Sequence, residues 1–458
     1  MTIGTPTVIL VPGAPGSQLL WTDPNSPNSS TELIWPGTAE DLSGYRWNQE
    51  LLSDSVQPDG LIMTALCDLC PIYGPLVKTL ESWGFRQADS TLVLCDYDWR
   101  KSAVEAARDL AQKIDLLNQK NPPPSITILA HSMGGLVSRY YLESGSWQPK
   151  NIAQLITMGT PHRGAPDALI TRMGADNVDF LSAEEVLKLA DDPNFPAFYQ
   201  LFPRRGDPFA YDSSSNEVID IYDPANPLSL IQSNVDAAVG FYSKLDPSKR
   251  GDVTYFCFAG RGHPTYTNVF LTRAPGRPYQ VDTVKTQLIE LGGDGTVPFL
   301  SAALPGVEYA EVSGQHLTIF QDDDLLRALA TKLGRADQAS EIAPRVQVAL
   351  SKKMMRGRET AHVFVKFPKE PEMIRGELRV EKIDAKGRVT RVISKEKLDR
   401  QSKLIGHHPM AFAVPSTSGN YSVSFQREDR PQPESQDTFF VRPSDQTLQR
   451  IQVKRRSS

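Results

Sequence analysis

Ser132 stands where a predicted strand turns into a predicted helix, within the stretch SITILAHSMGG of residues 125–135. The residues before it are mostly β-branched or apolar, and apolar residues after it recur at helical spacing. A serine at the apex of such a turn is a nucleophile elbow, whose strained backbone projects the hydroxyl above the sheet. The positions two before and two after it must be small, and here they are Ala130 and Gly134. The pattern predicts a nucleophilic serine; the alternative is an ordinary turn with an idle serine.

A serine hydroxyl needs a base to take its proton, and the base needs an acid to orient it. In folds built around this elbow, the acid and then the histidine follow the serine along the chain. The chain has seven histidines, and within the predicted sheet domain only His316 follows both the last strand and the acid candidate Asp294. We predict Ser132 as nucleophile, His316 as general base and then acid, and Asp294 as orienting carboxylate. The alternative for Asp294, which lies among glycines, is that it only closes an Asx turn.

The first predicted strand, Thr7–Val11, is a continuous apolar run and is followed by a turn rich in glycine and proline at residues 12–17. Such a backbone can approach a bound group closely. In the elbow fold this loop and the residue after the nucleophile each supply one backbone N–H to the oxyanion hole. By position these donors are the amides of Ala14 and Met133. The alternative is that residues 12–17 form merely a tight connection.

Two further polar groups lie at predicted strand ends. His162 follows the strand Ile152–Met158, at the edge of the sheet where ligands bind in parallel α/β folds. We expect it to order its loop rather than to take part in catalysis. Asp98 and Arg100 are expected to form a local ion pair that holds a loop.

Alternating strand and helix patterns dominate the chain up to about residue 333. The strands are predicted at residues 7–11, 91–95, 126–129, 152–158, 253–259 and 307–312, and amphipathic helices at 75–83 and 103–117. This order predicts an α/β fold with a mostly parallel, doubly wound sheet and helices on both faces. Residues 165–250 interrupt the rhythm and are predicted to be an inserted cap. We also expect a surface insertion at residues 22–70 and a long loop after residue 259.

A second domain is predicted after a polar segment at residues 334–345. Beyond it the apolar residues alternate with period two, and Asp384-Ala385-Lys386-Gly387 reads as a hairpin turn. We therefore assign 1–338 to the α/β domain and 339–458 to a β-rich accessory domain that resembles a small β-sandwich. The basic tail residues 454–456 are expected to be a solvated end.

Composition excludes some classes of function. A formal net charge of −5 and a pI near 5.9 argue against a nucleic-acid-binding protein that relies on phosphate contacts. Cys67 and Cys70 form a single C-x-x-C without the second pair or the histidines of a zinc site, so we expect ordinary thiols there; the alternative is a disulfide between them. No signal peptide and no run of eighteen apolar residues is visible, which predicts a cytoplasmic protein that contacts membranes at most peripherally.

Several motifs in one order resemble a known family, that of lecithin:cholesterol acyltransferase, lysosomal phospholipase and the phospholipid:diacylglycerol acyltransferases. The resemblance covers residues 7 to about 330 and rests on Val11-Pro12-Gly13 with Gly16-Ser17, Pro71-Ile72-Tyr73-Gly74, Tyr97-Asp98-Trp99-Arg100, Ala130-His131-Ser132-Met133-Gly134, Tyr199-Gln200-Leu201-Phe202-Pro203, Gly293-Asp294-Gly295-Thr296-Val297-Pro298 and Gly314-Gln315-His316. It implies an α/β-hydrolase fold and acyl transfer from a lipid ester through a serine acyl-enzyme, with no metal or organic cofactor. The secreted members have a signal peptide and a disulfide-closed lid, and Cys67 and Cys70 need not be that pair.

Three functions are consistent with these residues. The first is a lipid O-acyltransferase or phospholipase that acts on ester bonds, and the second is a soluble carboxylesterase that acts on small esters. The third is a non-catalytic binding protein in which the β-rich domain recognises a partner. The residues do not distinguish transfer from hydrolysis, because the two reactions differ only in whether an alcohol or water accepts the acyl group.

Overall fold

The computed structural model describes residues 6–25, 31–36, 49–65, 69–120, 122–176, 183–226, 228–368, 374–399 and 407–442. Cys67 and the basic tail at residues 454–456 lie outside these ranges, so the predictions for them stay predictions.

Strands alternate with helices through most of the first three hundred residues, and strands dominate after residue 345. Up to residue 312 the strands are β1 (Thr7–Val11), β2 (Ser17–Thr22), β3 (Thr31–Trp35), β4 (Val56–Leu61), β5 (Thr64–Ala65), β6 (Cys70–Pro71), β7 (Leu92–Leu94), β8 (Ile126–His131), β9 (Ile152–Met158), β10 (Ala210–Asp212), β11 (Thr254–Gly260), β12 (His263–Tyr266), β13 (Val269–Thr272), β14 (Gln280–Val281), β15 (Leu288–Gly293) and β16 (Glu308–Val312). The later strands are β17 (Gln347–Leu350), β18 (Met354–Arg356), β19 (Thr360–Lys366), β20 (Arg375–Ile383), β21 (Val389–Asp399), β22 (His407–Ala413), β23 (Gly419–Arg427) and β24 (Ser435–Arg442). The α-helices are α1 (Gly74–Ser82), α2 (Ala103–Lys120), α3 (Met133–Glu143), α4 (Pro166–Arg172), α5 (Ala183–Ala190), α6 (Gln232–Tyr242), α7 (Phe299–Ala302), α8 (Asp323–Lys332) and α9 (Ala336–Glu341). Short 3-10 helices occupy Gln49–Leu52, Pro196–Leu201, Pro247–Lys249 and His316–Gln321.

The described residues divide into two compact units. The first draws on Met1–Trp35, Gln49–Ile62 and Leu76–Val312, and the second on Pro36–Asn48, Met63–Pro75 and Ser313–Ser458. The first unit therefore ends at Val312, before residue 338, where we placed the end of the α/β domain. The domain limits at 338/339, and those of the cap at 165–250, stay predictions.

The first unit is built on a six-stranded sheet in the order β16-β11-β9-β8-β1-β7, as far as the described residues extend. All its neighbouring strands pair in parallel. Each of these strands returns to the sheet through a crossover, since parallel neighbours cannot be joined by a hairpin. The predicted parallel, doubly wound α/β-hydrolase sheet is confirmed. Every residue of β1 and β8 is buried, which explains why those strands read as apolar runs rather than as alternating patterns.

The buried residues of α2 and α3 relate the apolar spacing in the sequence to the packing of these helices. On α2 the buried residues Ala103, Ala107, Leu110 and Ile114 recur every three or four positions, as the predicted amphipathic helix requires. On α3 every residue is buried, including two charged ones. Arg139 and Glu143 satisfy each other through two hydrogen bonds of 2.7 and 2.8 Å one turn apart.

Two segments predicted to be irregular contain strands. Residues 22–70 include β3 and β4, which flank β2 in an antiparallel sheet, and the predicted long loop after β11 includes the antiparallel ribbon β12–β15. Proline and glycine within these segments break the alternation that would reveal strands in the sequence. The register shifts in both ladders have the same effect, because a bulge moves subsequent side chains to the opposite face.

The second unit contains a three-stranded sheet, β17-β19-β22, and a five-stranded sheet, β18-β24-β23-β20-β21, among its described residues. Side chains from both sheets share one core, which includes Val363 and Val365 of one sheet and Val380 and Val423 of the other. This is the predicted β-sandwich arrangement. The predicted hairpin turn joins β20 to β21, and Gly387 donates its N–H to the carbonyl of Asp384 at a φ of +75°.

None of the helices within the described ranges has the length and apolarity that crossing a membrane requires.

Candidate active site

Ser132 lies between β8 and α3 in a backbone conformation that L-residues rarely adopt. Its φ is 50° and its ψ is −127°, a combination that costs free energy and persists only when the surrounding structure imposes it. The N–H of Ser132 donates to the carbonyl of Met158 on the neighbouring strand at 2.9 Å, which ties the apex to the sheet. The strand, the strained apex and the helix are the features of the predicted elbow.

The small residues around the apex are required by close backbone contacts. A Cβ at Gly134 would lie 2.4 Å from the carbonyl oxygen of Pro12 and 2.6 Å from that of Val11. A Cβ at Gly135 would lie 2.0 Å from the hydroxyl oxygen of Thr160. The helix that follows the serine therefore packs directly against the end of β1 and the loop after β9, and only glycine fits at these positions.

The loop at residues 12–17 lies against the serine. A Cβ at Gly13 would be 2.6 Å from the Cβ of Ser132 and 3.2 Å from its hydroxyl oxygen. The same point is 3.2 Å from Nδ1 of His131, so this histidine also faces the loop. Ala14 follows Gly13, and Met133 is the first residue of α3, whose leading N–H groups have no partner within the helix. The oxyanion-hole roles of Ala14 and Met133 stay predictions.

Asp294 is fully buried in a tight loop directly after β15. Its Oδ1 accepts hydrogen bonds from the N–H of Thr296 at 3.0 Å and of Val297 at 2.7 Å. A Cβ at Gly293 would lie 2.1 Å from the carbonyl oxygen of Val297, so the loop closes only with glycine there. Asp294 thus closes an Asx turn, which is its alternative role. Both hydrogen bonds of the turn are accepted by the same carboxylate oxygen, Oδ1.

Packing places the Asp294 loop at the same edge of the sheet as Ser132. Val297 packs in one apolar cluster with Ala259, near the carboxyl end of β11, and with Ala165, which precedes α4. Ser132 follows the carboxyl end of β8, and β9 lies between β8 and β11 in the sheet. The carboxyl edge of a parallel sheet is where ligands bind in open α/β folds.

His316 belongs to the second unit, where it is buried at the first position of the 3-10 helix His316–Gln321. The side chain of the preceding Gln315 accepts a hydrogen bond from the N–H of Leu317 at 3.0 Å and so caps this helix. A Cβ at Gly314 would lie 2.6 Å from Cα of Ile319, which explains the glycine in Gly314-Gln315-His316. The catalytic role of His316 stays a prediction.

The buried ion pair of Asp98 and Arg100 is present as expected. The guanidinium donates to both carboxylate oxygens at 2.9 and 2.6 Å, and to the carbonyls of Leu51 and Ser53 at 2.5 and 3.1 Å. This bidentate pair, with its two carbonyl partners, holds the segment at residues 51–53.

His162 is buried in the loop between β9 and α4. Its Nε2 lies 3.2 Å from the hydroxyl oxygen of Thr157 and 3.5 Å from the sulfur of Cys257. Its Nδ1 has no hydrogen-bond partner in the part of the chain that the structure describes. Burial, together with the positive charge of Arg139, holds the pKa of His162 well below its usual range, so the imidazole is neutral.

The burial of His162 predicts that the protein loses stability below pH 6.5. The unfolded chain takes up a proton at this residue below 6.5 and the folded chain does not, so stability that is present above this pH falls as the pH decreases. The loss is up to about 1.4 kcal/mol for each pH unit. Urea unfolding between pH 7.5 and 5 should show a flatter pH dependence for His162→Gln than for the wild type. His362→Gln, at an exposed position on β19, should keep the wild-type slope; equal slopes for all three proteins would contradict this account.

The described residues contain no group of three or more His, Cys, Asp or Glu side chains arranged to hold a metal ion.

Comparisons with known proteins give one family match. The family model described as Lecithin:cholesterol acyltransferase matches residues 63–236, which include α1, the elbow and much of the segment at 165–250. A GPI inositol-deacylase from Debaryomyces hansenii is 43% identical over 49 residues, which are 11% of this chain and 5% of that protein. The chain thus spans only a small part of this curated relative.

Two solved structures resemble the chain at low sequence identity. The lipase BlEst2 of Bacillus licheniformis is 14% identical with a TM-score of 0.38, over 72% of this chain and 92% of that one. The phospholipase PlaB of Legionella pneumophila is 11% identical with a TM-score of 0.30, over 95% and 90%. At these TM-scores neither likeness supports a conclusion about this chain. Residues 63–236 thus resemble the lecithin:cholesterol acyltransferase family, and the parallel sheet and the elbow have the arrangement of an α/β-hydrolase fold.

Proposed function

We propose that the protein catalyses acyl transfer from a lipid ester, to an alcohol or to water, through an acyl-enzyme on Ser132. The observation that carries the proposal is the strained elbow, in which Ser132 has a φ of 50° and its hydroxyl faces the loop at Gly13. Backbone strain of this kind is retained at functional sites, where the surrounding structure maintains it. The match of residues 63–236 to the acyltransferase family supports a lipid ester as the substrate class.

In the proposed first half-reaction, the hydroxyl oxygen of Ser132 attacks the ester carbonyl carbon while His316 takes the hydroxyl proton. The carbonyl oxygen gains negative charge, which the N–H groups of Ala14 and Met133 stabilise together with the positive end of the α3 dipole. The bond between the carbonyl carbon and the leaving oxygen then breaks, and His316 gives its proton to the departing alcohol. The product of this half-reaction is an ester between Ser132 and the acyl group.

In the second half-reaction an acceptor alcohol or water attacks the acyl-enzyme. His316 takes the proton of the acceptor, the bond from the acyl carbon to Ser132 breaks, and the serine recovers a proton from His316. Asp294 orients the imidazole and stabilises its positive charge throughout. Because the two outcomes share the triad, exclusion of water and binding of the acceptor decide between transfer and hydrolysis.

A fluorophosphonate probe tests the nucleophile directly. We expect stoichiometric labelling of the full-length protein and, after proteolysis, a mass shift on the peptide that contains Ser132. Ser132→Ala should not be labelled, whereas Ser138→Ala should be labelled like the wild type. Ser138 is a suitable control because it is buried on the same helix, with its hydroxyl donating to the carbonyl of Gly134 at 2.7 Å. Labelling of Ser132→Ala to the wild-type extent would exclude the proposed nucleophile.

The substrate class is tested with two esters, one carried in phospholipid vesicles and one dissolved in water. Turnover of a long-chain ester in phospholipid vesicles is expected to exceed turnover of a water-soluble short-chain ester, and mass spectrometry of products from mixed lipids identifies the acyl acceptor. Faster turnover of the soluble ester, with no gain at vesicles, would favour the soluble carboxylesterase over the lipid enzyme.

A further inference from the structure

Two aromatic side chains far from Ser132 in the sequence bind the carbonyls of the loop at residues 12–17. The hydroxyl of Tyr97 donates to the carbonyl oxygen of Pro12 at 2.7 Å. The indole N–H of Trp35 donates to the carbonyl oxygen of Pro15 at 2.8 Å. Both carbonyls flank the Gly13–Ala14 peptide, which carries the N–H predicted to bind the oxyanion.

Tyr97 lies three residues beyond β7, the strand next to β1, and is held firmly there. It is fully buried, and its own N–H donates to the hydroxyl oxygen of Ser17 at 3.1 Å. Two residues earlier, the N–H of Cys95 donates to the carbonyl of Leu10 on β1 at 2.9 Å. Tyr97 therefore contacts the loop at both ends, through its hydroxyl at Pro12 and through its backbone at Ser17.

Trp35 supports the loop from another strand. It ends β3, which pairs with β2 just after the loop, and its side chain is only 3% exposed. Its ring meets that of the fully buried Trp99 edge-on, with ring centroids 5.3 Å apart. Because the neighbouring ring fixes the plane of the indole, the direction of the bond to Pro15 is also fixed.

The geometry of the loop makes these bonds relevant to the Ala14 N–H. The carbonyl of Gly13 accepts a hydrogen bond from the N–H of Gly16 at 2.8 Å, across a tight turn. In a planar trans peptide the C=O and the N–H point in opposite directions, so this bond turns the Ala14 N–H away from the interior of the turn. The bonds at Pro12 and Pro15 hold the Pro12–Gly13 and Pro15–Gly16 peptides and so restrict rotation of the two peptides between them, of which Gly13–Ala14 carries the Ala14 N–H.

We propose that Tyr97 and Trp35 are positioning residues that hold the Ala14 N–H in the orientation needed to stabilise the oxyanion. The inference rests on the proposed function, since it requires an oxyanion to form at Ser132. Preorganised donors are effective because they need no reorganisation when charge develops, and a displacement of about 1 Å can cost about 10²-fold in rate.

The test uses Tyr97→Phe and Trp35→Phe in the full chain, each of which removes one donor and keeps an aromatic ring. The matched control is Tyr222→Phe, since Tyr222 is a buried tyrosine whose hydroxyl donates to another proline carbonyl, that of Pro203, at 2.6 Å, away from the loop. We expect kcat/KM for a short-chain ester to fall about 10- to 100-fold in both loop variants. KM should stay within about twofold of the wild type, because the bound ester carries no oxyanion, and Tyr222→Phe should retain wild-type kinetics.

A second measurement separates positioning from general loss of structure. A trifluoromethyl ketone adds to a nucleophilic serine and forms an oxyanion, so its inhibition constant should rise by the factor by which kcat/KM falls. The melting temperatures of the loop variants should match that of Tyr222→Phe. If one loop variant does not fold, the other variant provides the test. Turnover is divided by the concentration of active protein, which is measured as the amount of serine that a fluorophosphonate labels when the reaction is complete.

The possible outcomes distinguish this inference from the proposed function. Equal kcat/KM for the loop variants and Tyr222→Phe, in a protein that Ser132→Ala inactivates, would overturn the positioning role alone. Turnover that persists in Ser132→Ala would overturn the proposed function itself. Losses of kcat/KM without a change in the inhibition constant of the ketone would also contradict the positioning role.

Discussion

Replacement of Ser132 by alanine is expected to lower the turnover of an activated ester by at least about 10⁴-fold. The variant lacks the hydroxyl oxygen that forms the acyl-enzyme, and removal of the nucleophile from such a unit leaves only the contribution of binding and of the oxyanion hole. The measurement is steady-state hydrolysis of a p-nitrophenyl ester by purified full-length protein, with the pre-steady-state burst recorded alongside it. Both the burst and the steady-state rate should disappear.

Folding of the alanine variant is the necessary control. Ser132 has a strained φ of 50°, and alanine at that position keeps the strain without the hydroxyl, so the far-ultraviolet spectrum should be unchanged. Ser138→Ala should lose some stability but keep the burst, because its hydroxyl donates to the carbonyl of Gly134 within the helix. Turnover of Ser132→Ala within tenfold of the wild type would exclude the serine as nucleophile.

The same assay tests whether His316 acts with Ser132. When residues work as one catalytic unit, the rate losses caused by replacing them are strongly non-additive, since replacing one residue already removes most of the rate enhancement that the unit provides. We expect His316→Ala to lose turnover by a similar factor and the double variant to lose no more than Ser132→Ala. Losses that multiply in the double variant would indicate that the two residues contribute independently.

Replacement of Asp294 by asparagine is expected to lower kcat by about 10⁴-fold while the fold is retained. This is the loss seen when the orienting carboxylate of a serine triad becomes an amide, which favours the wrong tautomer of the histidine. Asparagine keeps an Oδ1 that can accept the hydrogen bonds from Thr296 and Val297, so the Asx turn should survive. The variant therefore separates the catalytic role of Asp294 from its role in the turn.

Asp282→Asn is the matched control for this experiment. The Oδ1 of Asp282 accepts bonds from the N–H of Val284 at 3.0 Å and of Lys285 at 3.1 Å, the same turn as at Asp294. We expect Asp282→Asn to keep wild-type kcat, and both variants to melt within a few degrees of the wild type. A wild-type kcat in Asp294→Asn would leave the carboxylate with the turn as its only role.

The sequence predicts the sheet well because its signals are local. The continuous apolar runs of β1 and β8 follow from burial on both faces, and the spacing on α2 follows from burial of one face. The elbow is recognisable for the same reason, since its strand, turn and helix are consecutive in the chain. The sequence does not reveal the antiparallel sheet β3-β2-β4 or the antiparallel pair β12 and β15, because their pairing depends on distant partners and their register shifts interrupt the alternation.

The sequence by itself determines the nucleophile candidate, the order of its partners and the small residues that the elbow needs. Only the tertiary structure shows that Tyr97 and Trp35 bind the loop beside Ser132, since Tyr97 is 85 residues away from its acceptor Pro12. It also shows that Asp294 closes a turn whose Val297 packs against the carboxyl end of β11. The physical reason is that periodicity records which face of an element is buried, whereas the partner of a hydrogen bond is decided by which elements lie together in the fold.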